Sequence, residues 1–197
     1  MKKLVYGVGS NDSTTPIQKK NLKWDCPYYT RWCAMLQRCY SESHITRQPT
    51  YRDCSVCDEW LTFSNFRTWM ISQEKIHGSL DKLHLDKDII DTDNKIYCPE
   101  KCAFVSQLVN NFVLDSNASR GEYHIGVRRR KSGSYHSRCR DPFRKCRMHL
   151  GTFPTQEEAH EAWRKQKHIF ACQLADIAKD SRIVIALQTK YRLNNII

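Results

Sequence analysis

The stretch from Gly126 to Ala159 constrains this chain more than any other. Gly126-Val-Arg-Arg-Arg-Lys131 and Tyr135-His-Ser-Arg-Cys-Arg140 are separated by Ser132-Gly-Ser134, a turn composition, so the two runs predict a β-hairpin. A third strand is expected over residues 147–150, ending at Gly151. Alternate residues of a strand share a face, which groups Arg128 with Arg130 and Arg138 with Arg140. Val127, Arg129, Tyr135, Ser137 and Cys139 fall to the other side. Thr155-Gln-Glu-Glu158 has the form of a capping box, and Ala159, Ala162, Trp163, Ile169 and Phe170 give the helix that follows one apolar side. The pattern predicts a three-stranded antiparallel sheet packed on one helix.

The same stretch carries most of the charge. Residues 123–170 hold 12 lysines and arginines against 4 acidic residues, which is +8 of the formal +11 of the whole 197-residue chain. A concentrated excess of this kind points to a polyanionic partner. A membrane is excluded as the partner of a spanning segment, because no run approaches the roughly 18 apolar residues one needs, and no apolar stretch follows Met1-Lys2-Lys3. The expectation is a cytoplasmic protein, or one of the host-cell cytoplasm if encoded by a phage. In a reducing compartment its ten cysteines read as buried thiols or metal ligands, and no structural disulfide is expected.

The remaining sequence divides by composition. Residues 1–23 read as an arm. Residues 24–114 are rich in aromatics and hold seven of the ten cysteines, enough for a separate core. Helical spacing appears at Tyr28, Trp32, Met35, Leu36 and Cys39, and again at Leu61, Phe63, Phe66, Trp69 and Met70. His84-Leu-Asp-Lys-Asp-Ile-Ile90 suits a strand, Asp91-Thr-Asp-Asn94 a turn and residues 95–97 a second short strand, with a helix expected from Pro99 to Asn111. Residues 115–122 are small and polar and read as a linker, 123–170 form the basic module, and 171–197 a helical extension.

In the basic module, Gly126-Val-Arg128, Arg140-Asp-Pro142, Leu150-Gly-Thr-Phe153, Thr155 and Glu157-Glu-Ala159 stand in the order met in the ethylene-response-factor, or Apetala-type, DNA-binding domain, which the segment resembles over about 48 residues. The resemblance implies a sheet that lies in the major groove of double-stranded DNA. Arg128, Arg130, Arg140 and Arg147 fall on contact positions, with Arg138 beside them on the second strand. Ser132 and His149 stand where that family has tryptophans, and Arg138 where it has an acidic residue, so a different target sequence is expected.

Residues Trp32, Arg38-Cys-Tyr40, Val56-Cys-Asp-Glu-Trp60, Phe63, Leu85-Asp86, Tyr97, Pro99-Glu100, Cys102 and Asn110 resemble phage and mobile nucleases of the HNH type, which carry such a DNA-binding domain behind them. That resemblance implies a ββα-metal module in an α+β chain, acting as a homing endonuclease. A divalent metal, magnesium or manganese, would be held by Asp86, a hard oxygen ligand. Lys87 occupies the place of the usual histidine base, His84 projects from the same strand face as a substitute, and Asn94 and Asn110 could replace the asparagine absent at Lys101. Cys54, Cys57, Cys98 and Cys102 have spacings that suit either a structural zinc or buried thiols.

Two functions follow. The leading one is a metal-dependent, site-selective endonuclease. The other is a DNA-binding regulator with no catalytic activity, a reading favoured by Lys87 and Lys101. RNA binding has the charge but no motif, and no small-molecule substrate is implied. The sequence leaves the oligomeric state open.

Overall fold

The computed structural model describes residues 3–19, 24–114 and 122–192. The expected linker, the end of the arm and the last five residues therefore lie wholly or mostly outside the described residues. The chain forms two compact units, Met1–Phe104 and Val105–Ile197.

The first unit is built on two helices, α1 (Pro27–Tyr40) and α3 (Phe63–His77), with a short α2 (Glu42–Arg47) between them. Proline at the first turn of α1 sacrifices no hydrogen bond, because that turn's N–H groups have no intrahelical acceptor. The apolar stripe legible in the sequence then faces inward: Trp32, Met35 and Leu36 of α1 meet Phe63, Phe66 and Met70 of α3, all essentially without solvent contact. Each fully buried side chain of this size contributes about 1.5–3 kcal/mol over its exposed state. Trp60 sits between the helices in a short 3-10 turn, and its carbonyl accepts the Trp32 indole N–H at 2.7 Å. The arm joins this core. Ser10 exchanges backbone hydrogen bonds with Leu61 and Phe63, and Gly9 lies so close to Leu36 that a Cβ there would be 2.4 Å from its methyl carbon.

The strands of this unit are short: β1 (Gln18–Lys19) pairs with β2 (Trp24–Asp25), and β3 (Ser55–Val56) runs parallel to β5 (Ile96–Tyr97). β4 (Leu83–Asp86) pairs with β6 (Ala103–Ser106), whose first half belongs to this unit. The expected hairpin of β4 with β5 is thus not formed, because each has a different partner. The helix expected from Pro99 also begins later. Ala103, Phe104 and Val105 are all buried, a continuous run that a strand inside a core accommodates, and α4 (Gln107–Val113) starts only where Ser106 caps the Val109 N–H.

In the second unit, β7 (Val127–Arg129), β8 (Tyr135–Arg140) and β9 (Arg147–Phe153) form an antiparallel sheet in chain order, against which α5 (Gln156–Ala175) packs. Both connections are determined by local chemistry. At the first, Arg130 N–H bonds the Ser134 carbonyl, and Gly133 takes a positive φ of 88°. At the second, buried Asp141 accepts the N–H groups of Phe143 and Arg144 at 2.8 and 3.0 Å. β9 runs three residues beyond the expected strand, because a bulge opposite Ser137 and Arg138 absorbs Leu150 and lets pairing resume at Gly151.

Thr155 caps α5 by accepting the Glu158 N–H, and Trp163 is pressed onto the sheet. The close approach requires glycine at 126: its φ is +82°, and a Cβ would stand 2.1 Å from the indole. α5 continues past the expected end at Phe170 to Ala175, where Phe170, Ala171 and Leu174 are still buried. Asp180 then caps α6 (Ser181–Lys190), which returns Ile183 and Leu187 to the core and leaves Ile177 and Ile185 exposed. No described helix is long and apolar enough to cross a membrane.

Candidate nucleic-acid interface

The register of the sheet decides which arginines act together. Arg128 lies opposite His136, which lies opposite Thr152; beyond the bulge, Arg138 pairs with His149 and Arg140 with Arg147. Cross-strand partners share a face. These side chains therefore form one surface, and the Arg130 guanidinium joins it by donating to the Thr152 hydroxyl at 3.4 Å. Ser137 and Cys139, between the outward positions, are buried under α5.

All five arginines, Arg128, Arg130, Arg138, Arg140 and Arg147, are exposed, and among the described residues none has a carboxylate within ion-pair distance. A row of cations with no internal counter-charge has its ordinary explanation in an external anion. At its middle the rings of His136 and His149 are hydrogen-bonded, and Arg138 Nε donates to His136 Nε2 at 3.5 Å. Partial burial, and then Arg138 and the other cations around it, pull the His136 pKa below its ordinary 6.5. The ring is thus mainly neutral at pH 7 and keeps acceptor capacity among donors. Sequence reasoning did not select His136, although its place two residues before Arg138 on a strand gives it the same face.

Of the other residues singled out in the sequence, Asp86, Lys87, Asn94 and Lys101 make contacts within their own loops. Asp86 Oδ1 accepts the N–H groups of Asp88 and Ile89 at 3.0 and 2.7 Å, closing the turn after β4. Burial, and then neighbouring Asp88, push its carboxyl above the ordinary range. Lys87 is buried and bonds Asp88 at 2.9 Å, Asn94 spans the loop to the Lys87 and Ile96 carbonyls, and Lys101 pairs with Asp91 at 2.7 Å. His84 is exposed on β4, while Asn110 stands on α4 of the second unit.

The four cysteines separate into two neighbourhoods. Cys57, Cys98 and Cys102 are within electrostatic reach of one another, whereas Cys54 faces Cys39 and Lys87. Burial raises all four thiols, and all ten cysteines of the chain are free. Among the described residues no three His, Cys, Asp or Glu side chains converge so as to hold a metal ion.

The second unit thus presents five exposed arginines on one face of a three-stranded sheet packed on a capped helix. The chain is 46% identical over 142 residues to the ethylene-responsive transcription factor ERF117 of Arabidopsis thaliana. The match takes in 72% of this chain and 40% of that protein. No family profile matches the chain, and no solved structure does. The expectation of an HNH-type endonuclease is corrected by this relative, a transcription factor and not a nuclease, and no enzyme family is indicated.

Proposed function

We infer that this chain is a sequence-selective DNA-binding regulator whose three-stranded sheet enters the major groove. The observation that carries the reading is the one-sided row of five arginines without carboxylate partners. Adjacent strands are spaced by about 4.8 Å, so a three-stranded face is about 10 Å across, close to the roughly 12 Å width of the major groove. The guanidinium fork matches both phosphate oxygens and the paired acceptors of guanine. His136 and His149 add ring nitrogens to the same surface. The Arabidopsis relative, an ethylene-responsive transcription factor, agrees with such a role.

Binding is the output in this reading, and the polar side chains around Asp86 and Lys87 belong to the architecture of the first unit. Selection from a pool of randomised duplexes, with the full chain as bait, tests it. The expected result is a shared motif that disappears when Arg138 and Arg147 are both replaced by alanine. Recovery of unrelated duplexes with equal affinity would reduce the interaction to charge alone, and recovery of none would remove it.

A further inference from the structure

The second unit contains a cavity of about 430 Å³ that the arginine face does not use. Its apolar wall is formed by Leu108, Phe112 and Leu114 in and after α4, Ile125 before β7, Pro142 after β8, and Trp163 of α5. Asn111, Arg140, Lys145 and Lys167 complete the lining, and no acidic residue takes part. Small-molecule sites typically have about 300–1,000 Å³, mostly apolar walls and a few converging polar groups.

Lys167 is the unusual member. Its Nζ donates to the Phe112 carbonyl at 2.7 Å and lies 3.5 Å from the centre of the Phe112 ring, 5.2 Å from Tyr191 and 5.8 Å from Trp163. Among the described residues it has no carboxylate partner. Burial lowers its pKa to about 8. Aromatic faces compensate a half-buried cation only in part, and methionine would fill the same space without that cost. An anion arriving in the cavity would supply the missing charge.

We propose that this cavity binds a small amphipathic anion, a ring-bearing carboxylate or sulfonate, with its apolar body against Phe112 and Trp163 and its charged group toward Lys167 and Arg140. Arg140 also belongs to the outward row of the sheet. A bound anion would engage that guanidinium and weaken the hold on DNA, a consequence that rests on the function proposed above; the site itself does not.

Titration of the full chain with anilinonaphthalene sulfonate, a fluorescent aromatic anion of suitable size, tests the site. Saturable one-to-one binding is expected, weakened about tenfold or more by Lys167→Met, which keeps the apolar stem, and by Leu108→Trp, which fills the cavity without altering charge. The uncharged analogue phenylnaphthylamine should lose affinity in Leu108→Trp but not in Lys167→Met. Circular dichroism and thermal melting identify a variant that fails to fold. If Lys167→Met is one, Lys145→Gln at the exposed rim replaces it as the charge test.

Absence of saturable binding to the unmodified chain, or equal binding by the folded charge and filling variants, overturns the proposal. Repeating a duplex titration with the dye bound should lower affinity severalfold. Unchanged duplex affinity removes the coupling through Arg140, whereas a dye-free chain that binds no duplex removes the proposed function and leaves the dye titration to judge the cavity.

Discussion

The loops around β4 and β5 in the first unit and the sheet face of the second treat charge in opposite ways. In the first, the polar side chains along residues 84–101 are consumed internally: Asp86 closes a turn, Lys87 pairs with Asp88, and Lys101 pairs with Asp91. In the second, five arginines stand on one face with no carboxylate among the described residues. Charged residues along these loops thus pair with one another, while the arginines on the sheet reach only neutral neighbours, Thr152 and His136, among the described residues. Abundance of a residue type says little about function; whether it is already satisfied says more.

Several substitutions would break or sharpen that contrast. The largest effect is expected in the first unit, where Trp60→Ala should cost about 3–5 kcal/mol by opening a cavity between α1 and α3, read by chemical denaturation. A loss below about 1 kcal/mol would mean that this core is not the source of the unit's stability. Gly126→Ala should cost about 3 kcal/mol, since the new methyl meets the Trp163 indole and the residue keeps a positive φ. If it melts like the parent chain, the sheet does not depend on that contact.

On the arginine face the prediction reverses. Arg128→Ala or Arg140→Ala should leave folding stability within about 0.5 kcal/mol yet weaken duplex binding by about 1–3 kcal/mol where the arginine reaches a base, measured by fluorescence anisotropy. Unchanged affinity in both would reject the sheet as the binding face. Thr155→Ala should cost about 1 kcal/mol of stability through loss of the α5 cap, without touching that face.

The smallest effect concerns protonation. The folded pKa of His136 lies below its ordinary 6.5, so protonation disfavours the fold and stability should decline modestly as pH falls through that value. An NMR titration with its midpoint at or above 6.5 would show that the surrounding cations do not act on the ring.

These contrasts were unevenly legible in the sequence. β8 and the Thr155 cap could be read directly, because strand alternation and a capping side chain are local properties. The outward arginines followed from the same alternation. The partners of β4 and β5 could not be read, since strands of four and two residues carry little register information and long-range contacts decide which edges meet. Cys102-Ala-Phe-Val105 was assigned to a helix for a related reason, as a short apolar run suits either element until its burial is known. Lys167 gave no sign at all, because its aromatic surroundings come from three separate helical regions.

The bulge in β9 has a consequence for anyone who compares or transplants this surface. Counting by twos from Arg147 and His149 would put Gly151 and Phe153 outside, yet Thr152 is the residue that faces outward with Arg128 and His136. The strand changes phase at Leu150. Two chains that differ there by a single inserted or deleted residue would spell nearly the same text and present opposite sides of it, so similarity across this strand is meaningful only when the phase change is kept.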